Sequence, residues 1–286
     1  MSTTISEAFV QQYSQNVAML AQQKGSRLRD TVRNERHVGK AVFYDRIGRT
    51  AAVRRTSRHG DTPRIDVPHS RRRVTLIDYD WADLIDNADR VRLSIDPASH
   101  YVTAAGWAMG RAMDDEIVAA ALGSAWAGET GQTDVPLPPA QVVAASGSGL
   151  TVAKLLSVKE LLDGNDVDPD EPRFVACTAR QITNLLSQTE VKSSDYNTVK
   201  ALAQGDVDSF LGFRFIRTQR LPVETDGTRR CVAWTKEGVL LSVGAEPVAK
   251  LTERPDKNYA TQVYFSMSVG ATRMEEERVV EVKCVE

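Results

Sequence analysis

The sequence feature that most constrains the fold is the stretch from Asp96 to Gly123, which has the pattern of one long helix. Asp96 is a suitable helix N-cap, and Pro97 fits the first helical turn, where a missing N–H costs little. Apolar side chains recur at three- and four-residue steps and so share one face: Val102, Ala105, Met109, Met113 and Ile117. We predict that Gly123 ends the helix in a left-handed turn. At 1.5 Å per residue it would span about 35–40 Å, so it is either a plain core helix or a spine with a lobe at each end.

Composition excludes several classes of protein. The chain has 286 residues, a net charge of -2, 42% hydrophobic residues and 26% charged residues, the balance of a globular protein. No apolar run approaches the length of a membrane span, and the N-terminus lacks the pattern of a secretory signal. The three cysteines, Cys177, Cys231 and Cys284, are far apart in sequence, which argues against a disulfide framework or a zinc site. The compartment that we expect for the protein is therefore a reducing cytoplasm.

The N-terminal segment has the pattern of a helix from about Ile5 to Lys24, with Thr4 and Glu7 at the spacing of a capping box. We expect Gly25 to end this helix. Its apolar stripe is narrow: Phe9, Tyr13, Val17 and Leu20. A narrow stripe on a terminal helix predicts docking onto a large surface, either the chain's own core or another subunit.

Residues 27–73 form a strongly basic block, with fourteen Lys and Arg against five Asp and Glu, an excess of nine positive charges. Strand-like runs at Lys40–Tyr44, Thr50–Arg54 and Arg64–Val67, with a turn near Gly60, predict a hairpin-like arm. Its apolar residues are too few to form a core, so the arm should project. Three interpretations remain: contact with nucleic acid, an arm lying over a neighbouring subunit, or a solvated loop.

Acidic residues dominate the segment Asp78–Asp86, which is followed by Asp89. Trp81, Leu84 and Ile85 share one face at helical spacing, so we predict an amphipathic helix with its aspartates directed elsewhere. These carboxylates could receive the arginine-rich arm. Val74–Ile77, just before, has the pattern of a short strand.

Helices and strands alternate after the Gly- and Pro-rich passage 124–149, which we interpret as the connection between two lobes. The predicted elements are a possible strand at Gln141–Ala145, a helix Thr151–Leu162 with Val152, Leu155, Leu156 and Leu162 facing inward, a buried strand Arg173–Cys177, a helix capped by Thr178, a helix with Val199 and Leu202, and a turn and strand within Gly205–Phe215. This order predicts a mixed α/β lobe.

Strands dominate from Cys231 to the end of the sequence. The predicted strands are Cys231–Thr235, Val239–Val243, a period-two run from Tyr259 to Val269 that Gly270 breaks, and Arg278–Val285. We expect these strands to return to the long helix, which predicts an α+β fold with a discontinuous lobe.

No motif in the sequence predicts catalysis. The four histidines, His37, His59, His69 and His100, lack zinc-ligand spacing and are predicted to lie on the surface. Gly147–Lys154 departs from the phosphate-loop pattern because its lysine comes one turn too late. The acidic run Asp166–Glu171 lacks the glycine and the twelfth-position carboxylate of a calcium loop, and Asp114–Glu116 is predicted to lie on a helix surface. We therefore predict a protein that is not an enzyme, with no catalytic residue, metal or cofactor.

The layout resembles the major capsid proteins of tailed bacteriophages, which have the Hong Kong 97 type fold. The resemblance rests on diffuse patterns: Asp96-Pro97, Gly110–Ile117, Ala121–Ala125 and Gly205–Phe215. It implies an α+β fold with an N-terminal arm (1–36), an extended β-hairpin loop (37–73), a peripheral domain with the spine helix 97–123 and a β-sheet (74–140 and 242–286), and a mixed α/β axial domain (141–241). Some relatives crosslink a loop lysine, but Lys40 lies near the loop base, so that chemistry is not transferred.

The resemblance implies a coat protein that assembles into pentamers and hexamers of an icosahedral head around double-stranded DNA. Its implied partners are other copies of itself, a portal, scaffolding or decoration proteins where these exist, and non-specifically contacted DNA, with no membrane. It would reside in the virion after assembly in the host cytoplasm. The alternatives are an encapsulin-like nanocompartment shell and a nucleic-acid-binding module that uses the basic arm.

The predicted contacts between subunits are electrostatic. The basic candidates lie in the loop: Arg46, Arg49, Arg54, Arg55, Arg58, Arg64, Arg71, Arg72 and Arg73. The acidic candidates lie in two segments: Asp78, Asp80, Asp83, Asp86, Asp163, Asp166, Asp168, Asp170 and Glu171. Because an isolated surface ion pair contributes roughly 0–1 kcal/mol, these groups must act as a cluster. This hypothesis expects that charge reversal at Arg71–Arg73 blocks assembly and leaves the subunit folded.

Overall fold

The computed structural model describes residues 22–58, 60–62, 64–85, 98–188 and 209–286. Several predicted features lie outside these residues: the helix stripe of Phe9, Tyr13, Val17 and Leu20, the acidic residues Asp86 and Asp89, the helix start at Asp96 and Pro97, and the helix with Val199 and Leu202. Residues 22–24, which were predicted to be helical, are not helical.

The chain forms two compact units, each made of several segments. The first comprises Met1–Ser26, Asp78–Arg111 and Ala245–Met267, and the second comprises Arg27–Ile77, Ala112–Gly244 and Ser268–Glu286.

Three α-helices and fourteen strands occur in the described residues. The helices are α1 (Ala98–Leu122), α2 (Val152–Gly164) and α3 (Ala179–Ser187). The strands are β1 (Arg33–Arg36), β2 (Ala41–Ile47), β3 (His69–Thr75), β4 (Ile77–Ile85), β5 (Ala125–Ala127), β6 (Thr133–Val135), β7 (Val142–Val143), β8 (Arg173–Cys177), β9 (Ser209–Phe210), β10 (Phe213–Arg217), β11 (Thr228–Thr235), β12 (Val239–Arg254), β13 (Ala260–Arg273) and β14 (Val279–Val285).

The predicted long helix is confirmed as α1. Its predicted stripe is buried at Ala105, Met109, Met113 and Ile117, which explains why apolar periodicity located it correctly. The predicted left-handed turn at its end is wrong, because Gly123 does not adopt a positive φ.

The buried carboxylate of Asp114, on α1, binds the backbone at Arg27 and Leu28. Asp114 lies off the predicted apolar stripe, yet its side chain is completely buried. Both carboxylate oxygens accept the backbone N–H of Arg27 at 3.1 Å, and one accepts the N–H of Leu28, also at 3.1 Å. The prediction that Asp114 lies on a helix surface is therefore wrong. Charge-assisted hydrogen bonds of this kind offset the cost of burying the carboxylate.

A six-stranded sheet, in the order β7-β14-β11-β8-β10-β9, contains the predicted mixed α/β lobe. All five residues of β8 are buried, as predicted. Thr151 and Thr178 cap α2 and α3, since each side-chain oxygen accepts a backbone N–H three residues later. Leu156 was predicted to face inward on α2, but it is half exposed because Val158 and Leu162 form the buried face with Leu155.

The strand β14 belongs to this six-stranded sheet, where it pairs antiparallel with β11 from Thr228↔Val285 to Trp234↔Val279. The predicted boundary at residues 241 and 242 therefore divides a sheet that is continuous in the structure. Hydrogen bonding between strands distant in sequence produces this grouping, and alternation within one strand carries no information on its neighbours.

A four-stranded sheet, in the order β1-β12-β13-β4, corrects the prediction of a helix at Asp78–Asp86. Its described residues, 78–85, belong to β4 instead, and Ile77, Tyr79 and Trp81 alternate with aspartates at period two. Gly270 does not break β13, which continues to Arg273. A Cβ at Gly270 would lie 2.3 Å from the Thr75 carbonyl oxygen, so glycine permits this close approach.

A second four-stranded sheet, in the order β2-β3-β5-β6, includes two short strands from the passage 124–149, which was interpreted as the connection between two lobes. Its β5 and β6 are short and pair antiparallel, with Trp126 opposite Asp134. A Cβ at Gly131, which has φ +65°, would lie 2.4 Å from the side chain of Arg73, so the turn between β5 and β6 requires glycine.

The C-terminal end of α1 is held by a buried guanidinium. Arg273 is completely buried and donates to the carbonyl oxygens of Ala121 at 3.1 Å, Gly123 at 2.6 Å and Val135 at 2.8 Å. A cation at this position satisfies terminal helix carbonyls and opposes the negative end of the helix dipole.

Replacement of this guanidinium should strongly destabilise the chain. We expect Arg273→Met to lower the free energy of unfolding in urea by about 3–5 kcal/mol, because Glu276 and three carbonyls lose a buried partner. The exposed Lys236→Met should change it by about 0.5 kcal/mol or less. Similar values for the two variants would show that the Arg273 contacts do not stabilise the fold.

The three cysteines are free and completely buried within the strands of the six-stranded sheet or at their ends. Burial raises the pKa of Cys177 to about 12, because desolvation disfavours the thiolate. At pH 8 the native chain should therefore react with less than about 0.3 equivalents of a thiol-specific disulfide reagent, and with all three thiols in guanidinium chloride. Rapid reaction of the native chain would contradict this burial.

Candidate subunit-interface site

The predicted extended loop is a hairpin with a regular base. Strands β2 and β3 pair antiparallel from Ala41↔Thr75 to Ile47↔His69, and the Gly48 N–H donates to the Pro68 carbonyl at 2.8 Å. The first predicted strand, Lys40–Tyr44, is therefore nearly correct. Beyond this base, the described parts of residues 48–68 contain neither helix nor strand, so the strands predicted at Thr50–Arg54 and Arg64–Val67 are wrong.

The loop 48–68 presents charged and apolar side chains to solvent. It contains five arginines and two aspartates, and all its described residues except Val67 are exposed. Val53 is 58% exposed and Ile65 is 45% exposed. Irregular loops of this length are uncommon in compact domains and usually have a function.

A cluster of arginines around one carboxylate anchors the base of the hairpin. Arg72 is 2% exposed and donates to Glu276, while Arg46 donates to the Met274 carbonyl and lies 3.9 Å from Glu276. The Arg273 guanidinium lies 3.7 Å from the same carboxylate. Burial lowers the pKa of Arg72 and of Arg273 from their ordinary values, and Glu276 opposes this shift.

The neighbours of Arg72 on β3 also have partners within the chain. Arg71 donates to Asp45 at 2.8 Å, and its guanidinium lies 5.7 Å from the centre of the Phe43 ring. Arg73 donates to the Gly131 carbonyl at 3.2 Å. Three predicted interface arginines therefore contact their own chain, and the buried Arg72 is not available to a second subunit.

The remaining loop arginines are more exposed. Arg49 donates to Asp166 at 3.2 Å and to the Asn165 carbonyl, whereas Arg55 donates to carbonyls within the loop. The side chains of Arg54, Arg58 and Arg64 are exposed.

The acidic segment 163–171, which begins in the last turn of α2, has partners in its own chain. Asp163 accepts from Arg173 at 2.6 Å, Glu171 accepts from Arg278, and Asp168 accepts the Asp170 N–H at 2.9 Å. Together with the Arg49 contact, these bonds engage four of the five acidic candidates of the segment through their side chains.

The acidic candidates of β4 lie along an exposed strand. Asp78, Asp80 and Asp83 are exposed, and Asp80 accepts a hydrogen bond from the Tyr264 hydroxyl at 2.6 Å. Asp83 accepts the Leu84 N–H at 2.8 Å. Asp86 lies outside the described residues.

Other polar groups singled out in the sequence have structural partners. His37 was predicted to lie on the surface, but it is half-buried and its Nδ1 is hydrogen-bonded to Ser242, which also contacts the Tyr44 hydroxyl at 3.2 Å. The buried Lys154 ammonium donates to four backbone carbonyls: Ala145, Ser148, Gly149 and Lys283. The ammonium has three N–H donors, so these four carbonyls share them and the buried charge is fully hydrogen-bonded.

The described residues contain no cluster of three or more His, Cys, Asp or Glu that could hold a metal ion. None of the described helices is long and apolar enough to cross a membrane.

Comparison with known proteins assigns the chain to a family. A family model described as phage capsid protein matches residues 5–286. The chain belongs to the phage capsid protein family. No curated protein matches the sequence.

Solved phage capsids share the fold of this capsid protein over nearly its whole length. The cyanophage P-SCSP1u capsid has 17% identity and a TM-score of 0.76, with 100% of this chain and 96% of that chain covered. The cyanophage Pam1 capsid has 15% identity, a TM-score of 0.72 and coverages of 100% and 98%. The head of Helicobacter pylori bacteriophage KHP40 has 9% identity, a TM-score of 0.75 and coverages of 99% and 98%. The predicted α+β fold of Hong Kong 97 type is confirmed.

Sequence reasoning missed the residues that anchor the loop of this capsid protein. Glu276 and Arg273 were not candidates, and Asp114 was placed on a surface. The sequence gives one indication that such charged residues are buried, namely their position within or beside an apolar run. Arg273, shortly after Val269 and Gly270, is an example. Burial of such a group depends on partners distant in sequence, so this signal alone is weak.

The buried and exposed arginines of the capsid protein should respond differently to charge reversal. Arg72→Glu places two carboxylates together in a buried site, and we expect a loss of at least about 3 kcal/mol, or about 6–12 °C in the melting temperature. Arg64→Glu should leave the melting temperature within about 2 °C. Circular dichroism melting of unassembled subunits measures both, and equal effects would show that Arg72 is not a structural residue.

Proposed function

We propose that this capsid protein is the major head subunit of a tailed phage and assembles into pentamers and hexamers of an icosahedral shell around double-stranded DNA. The observation that carries the proposal is the loop 48–68, which exposes five arginines and two apolar side chains on a chain of the capsid family. Such a loop gains burial only against another surface, and a shell supplies that surface in every copy.

Many weak contacts suit the construction of a closed shell. An exposed ion pair contributes roughly 0–1 kcal/mol, so a single misplaced subunit can dissociate and be replaced. Repetition in every subunit then makes the complete shell stable. The regular base of the hairpin supports this function because it reduces the number of loop residues that must become ordered on contact.

The domain division remains part of the proposal. We assign residues 1–36 to an N-terminal arm, 37–73 to the extended loop, 74–140 and 242–286 to a peripheral domain, and 141–241 to an axial domain. The pairing of β14 with β11 supports moving residues 279–285 to the axial domain.

Further partners follow from the same proposal. A head subunit would meet a portal, and scaffolding or decoration proteins where the phage has them, and its location would be the virion after assembly in the host cytoplasm. The net charge of -2 favours weak, non-specific contact with packaged DNA over a primary role in DNA binding. The same construction requires no catalytic group or cofactor.

Electron microscopy of the purified protein tests the proposal. We expect regular polyhedral particles from the wild-type chain, either alone or after co-expression with the other head proteins of its phage. Arg54→Glu/Arg58→Glu/Arg64→Glu should reduce particle yield at least about tenfold. A loss of about 1.4 kcal/mol weakens one subunit contact tenfold, and the loss recurs at every contact of the shell. The control Lys159→Glu/Lys236→Glu/Lys257→Glu, which makes the same total charge change at three exposed positions, should assemble normally.

The outcomes separate the alternatives. If the wild-type chain stays monomeric under all these conditions, the proposed function is wrong. Particles that copurify with a cargo protein and no DNA would indicate a nanocompartment. Steeply salt-dependent DNA binding by isolated subunits would indicate a nucleic-acid-binding module.

A further inference from the structure

Two of the three buried cysteines lie on neighbouring strands of the six-stranded sheet. Cys231 is on β11 and pairs with Val282 of β14, and Cys284 follows Val282 by two residues. Paired residues, and residues two apart on one strand, direct their side chains to the same face of a sheet. Cys231 and Cys284 are therefore diagonal neighbours on one face, and both are free and completely buried.

The two thiols contact each other. A hydrogen bond joins them, and it lowers the pKa of Cys284 while it raises the pKa of Cys231. Desolvation opposes the ionisation of both thiols, whereas the positive charge of Lys154 favours the thiolate of Cys284. Within this pair, Cys284 is therefore the sulfur that ionises more readily, and Cys231 is the hydrogen-bond donor to it.

The third cysteine, Cys177, is the competing partner of Cys231. It ends β8, on the other side of β11, one position beyond the pair Val232↔Ala176. Burial raises its pKa to about 12, so its thiolate is scarcer than that of Cys284. The strand β8 also lies between β11 and β10, so its backbone is held on both sides. These differences favour Cys284 over Cys177 as the partner of Cys231.

The end of β14 can make the small movement that a covalent bond requires. Diagonal neighbours in an antiparallel pair have Cα atoms roughly 7–8 Å apart, and a disulfide joins Cα atoms about 4.4–6.8 Å apart, so closure needs a shift of about 1 Å. The strand β7 pairs with only two residues of β14, and neither is among residues 283–285. In the described part of the chain, those residues have a strand on one side only. Ser148 and the Lys154 side chain hold their backbone instead.

We propose that Cys231 and Cys284 are an oxidation site, at which a peroxide converts the two thiols into a disulfide that links β11 to β14. The Cys284 thiolate attacks one oxygen of the peroxide, the O–O bond breaks, hydroxide leaves, and Cys284 becomes a sulfenic acid. The Cys231 sulfur then attacks the Cys284 sulfur, the S–O bond breaks, and water leaves with the proton of Cys231. The two thiols lose two electrons in total, and one peroxide gains them.

The disulfide would close the segment 231–284, which includes β12 and β13. A covalent link of this kind restricts the unfolded chain and so favours the folded state. Thiols stay reduced in a reducing cytoplasm, whereas disulfides form and persist outside it, including at virion surfaces. The two strands would therefore become linked after a particle leaves its host, and this timing rests on the proposed function.

Thiol counting and peptide mapping of the wild-type chain test the site. Purified subunits are incubated for several hours with hydrogen peroxide, which is small and reaches buried sulfur through smaller openings than a bulky thiol reagent requires. The remaining thiols are then alkylated in guanidinium chloride. We expect the three free thiols to fall to one, at Cys177, and mass spectrometry without reductant to identify a disulfide between Cys231 and Cys284. Three unoxidised thiols, a bond to Cys177, or separate sulfinic acids would show that the proposed site is wrong.

Matched alanine variants separate the reacting pair from the third cysteine. Cys177→Ala should still lose both of its thiols to a disulfide, whereas Cys231→Ala and Cys284→Ala should form no disulfide within the chain. An intrachain disulfide in Cys284→Ala at the wild-type level would overturn the assignment. Because the peptide mapping uses the wild-type chain, the test stands even where a variant fails to fold.

The melting temperature measures the effect of the bond on stability. Oxidised wild-type subunits should melt at least about 4 °C above reduced subunits, because the link restricts the unfolded chain, and dithiothreitol should remove the rise. Cys177→Ala should show the same reversible rise, and Cys284→Ala should show none. A disulfide that forms without raising the melting temperature would overturn its stabilising role. These measurements use unassembled subunits, so a negative result leaves the capsid function intact, and failure of the chain to assemble contradicts the proposed function alone.

Discussion

The buried guanidinium of Arg273 is the interaction on which the structure around the loop depends. It binds carbonyls at the end of α1 and in β6, and it lies beside Glu276, which also pairs with Arg72 of β3. One cluster therefore joins a helix terminus to the sheet that carries the hairpin. Burial of several charges is costly, so we infer that the cluster contributes more to the specificity of the arrangement than to net stability.

Because of this anchoring, the arginines at the base of the hairpin and those toward its tip have different functions. At the base of the hairpin, Arg46 and Arg72 bind groups of their own chain and position β2 and β3. Toward the tip, Arg54, Arg58 and Arg64 are exposed and can contact another surface. Because the base of the hairpin is already hydrogen-bonded, fewer residues must become ordered when the exposed tip contacts a partner, and less entropy is lost on contact.

Local patterns predicted the elements whose periodicity is set by one apolar surface. The stripe from Ala105 to Ile117 located α1, and the alternation from Val263 to Val269 located β13, because each of these faces is buried. The same reasoning failed at Trp81, where helical spacing and strand alternation both fit a short segment. It also failed for Thr50–Arg54, since a strand without a partner has no stable structure of its own.

The sequence by itself determined the class of the fold, the long helix, the threonine caps of α2 and α3, and the concentration of arginines in residues 27–73. Each of these depends on residues near one another in the chain. Only the tertiary structure decided that Arg72 is buried while Arg64 is exposed, that Asp114 binds backbone N–H groups, and that β14 joins β11. Burial and strand pairing depend on residues far apart in sequence, and one local sequence pattern is compatible with more than one tertiary arrangement.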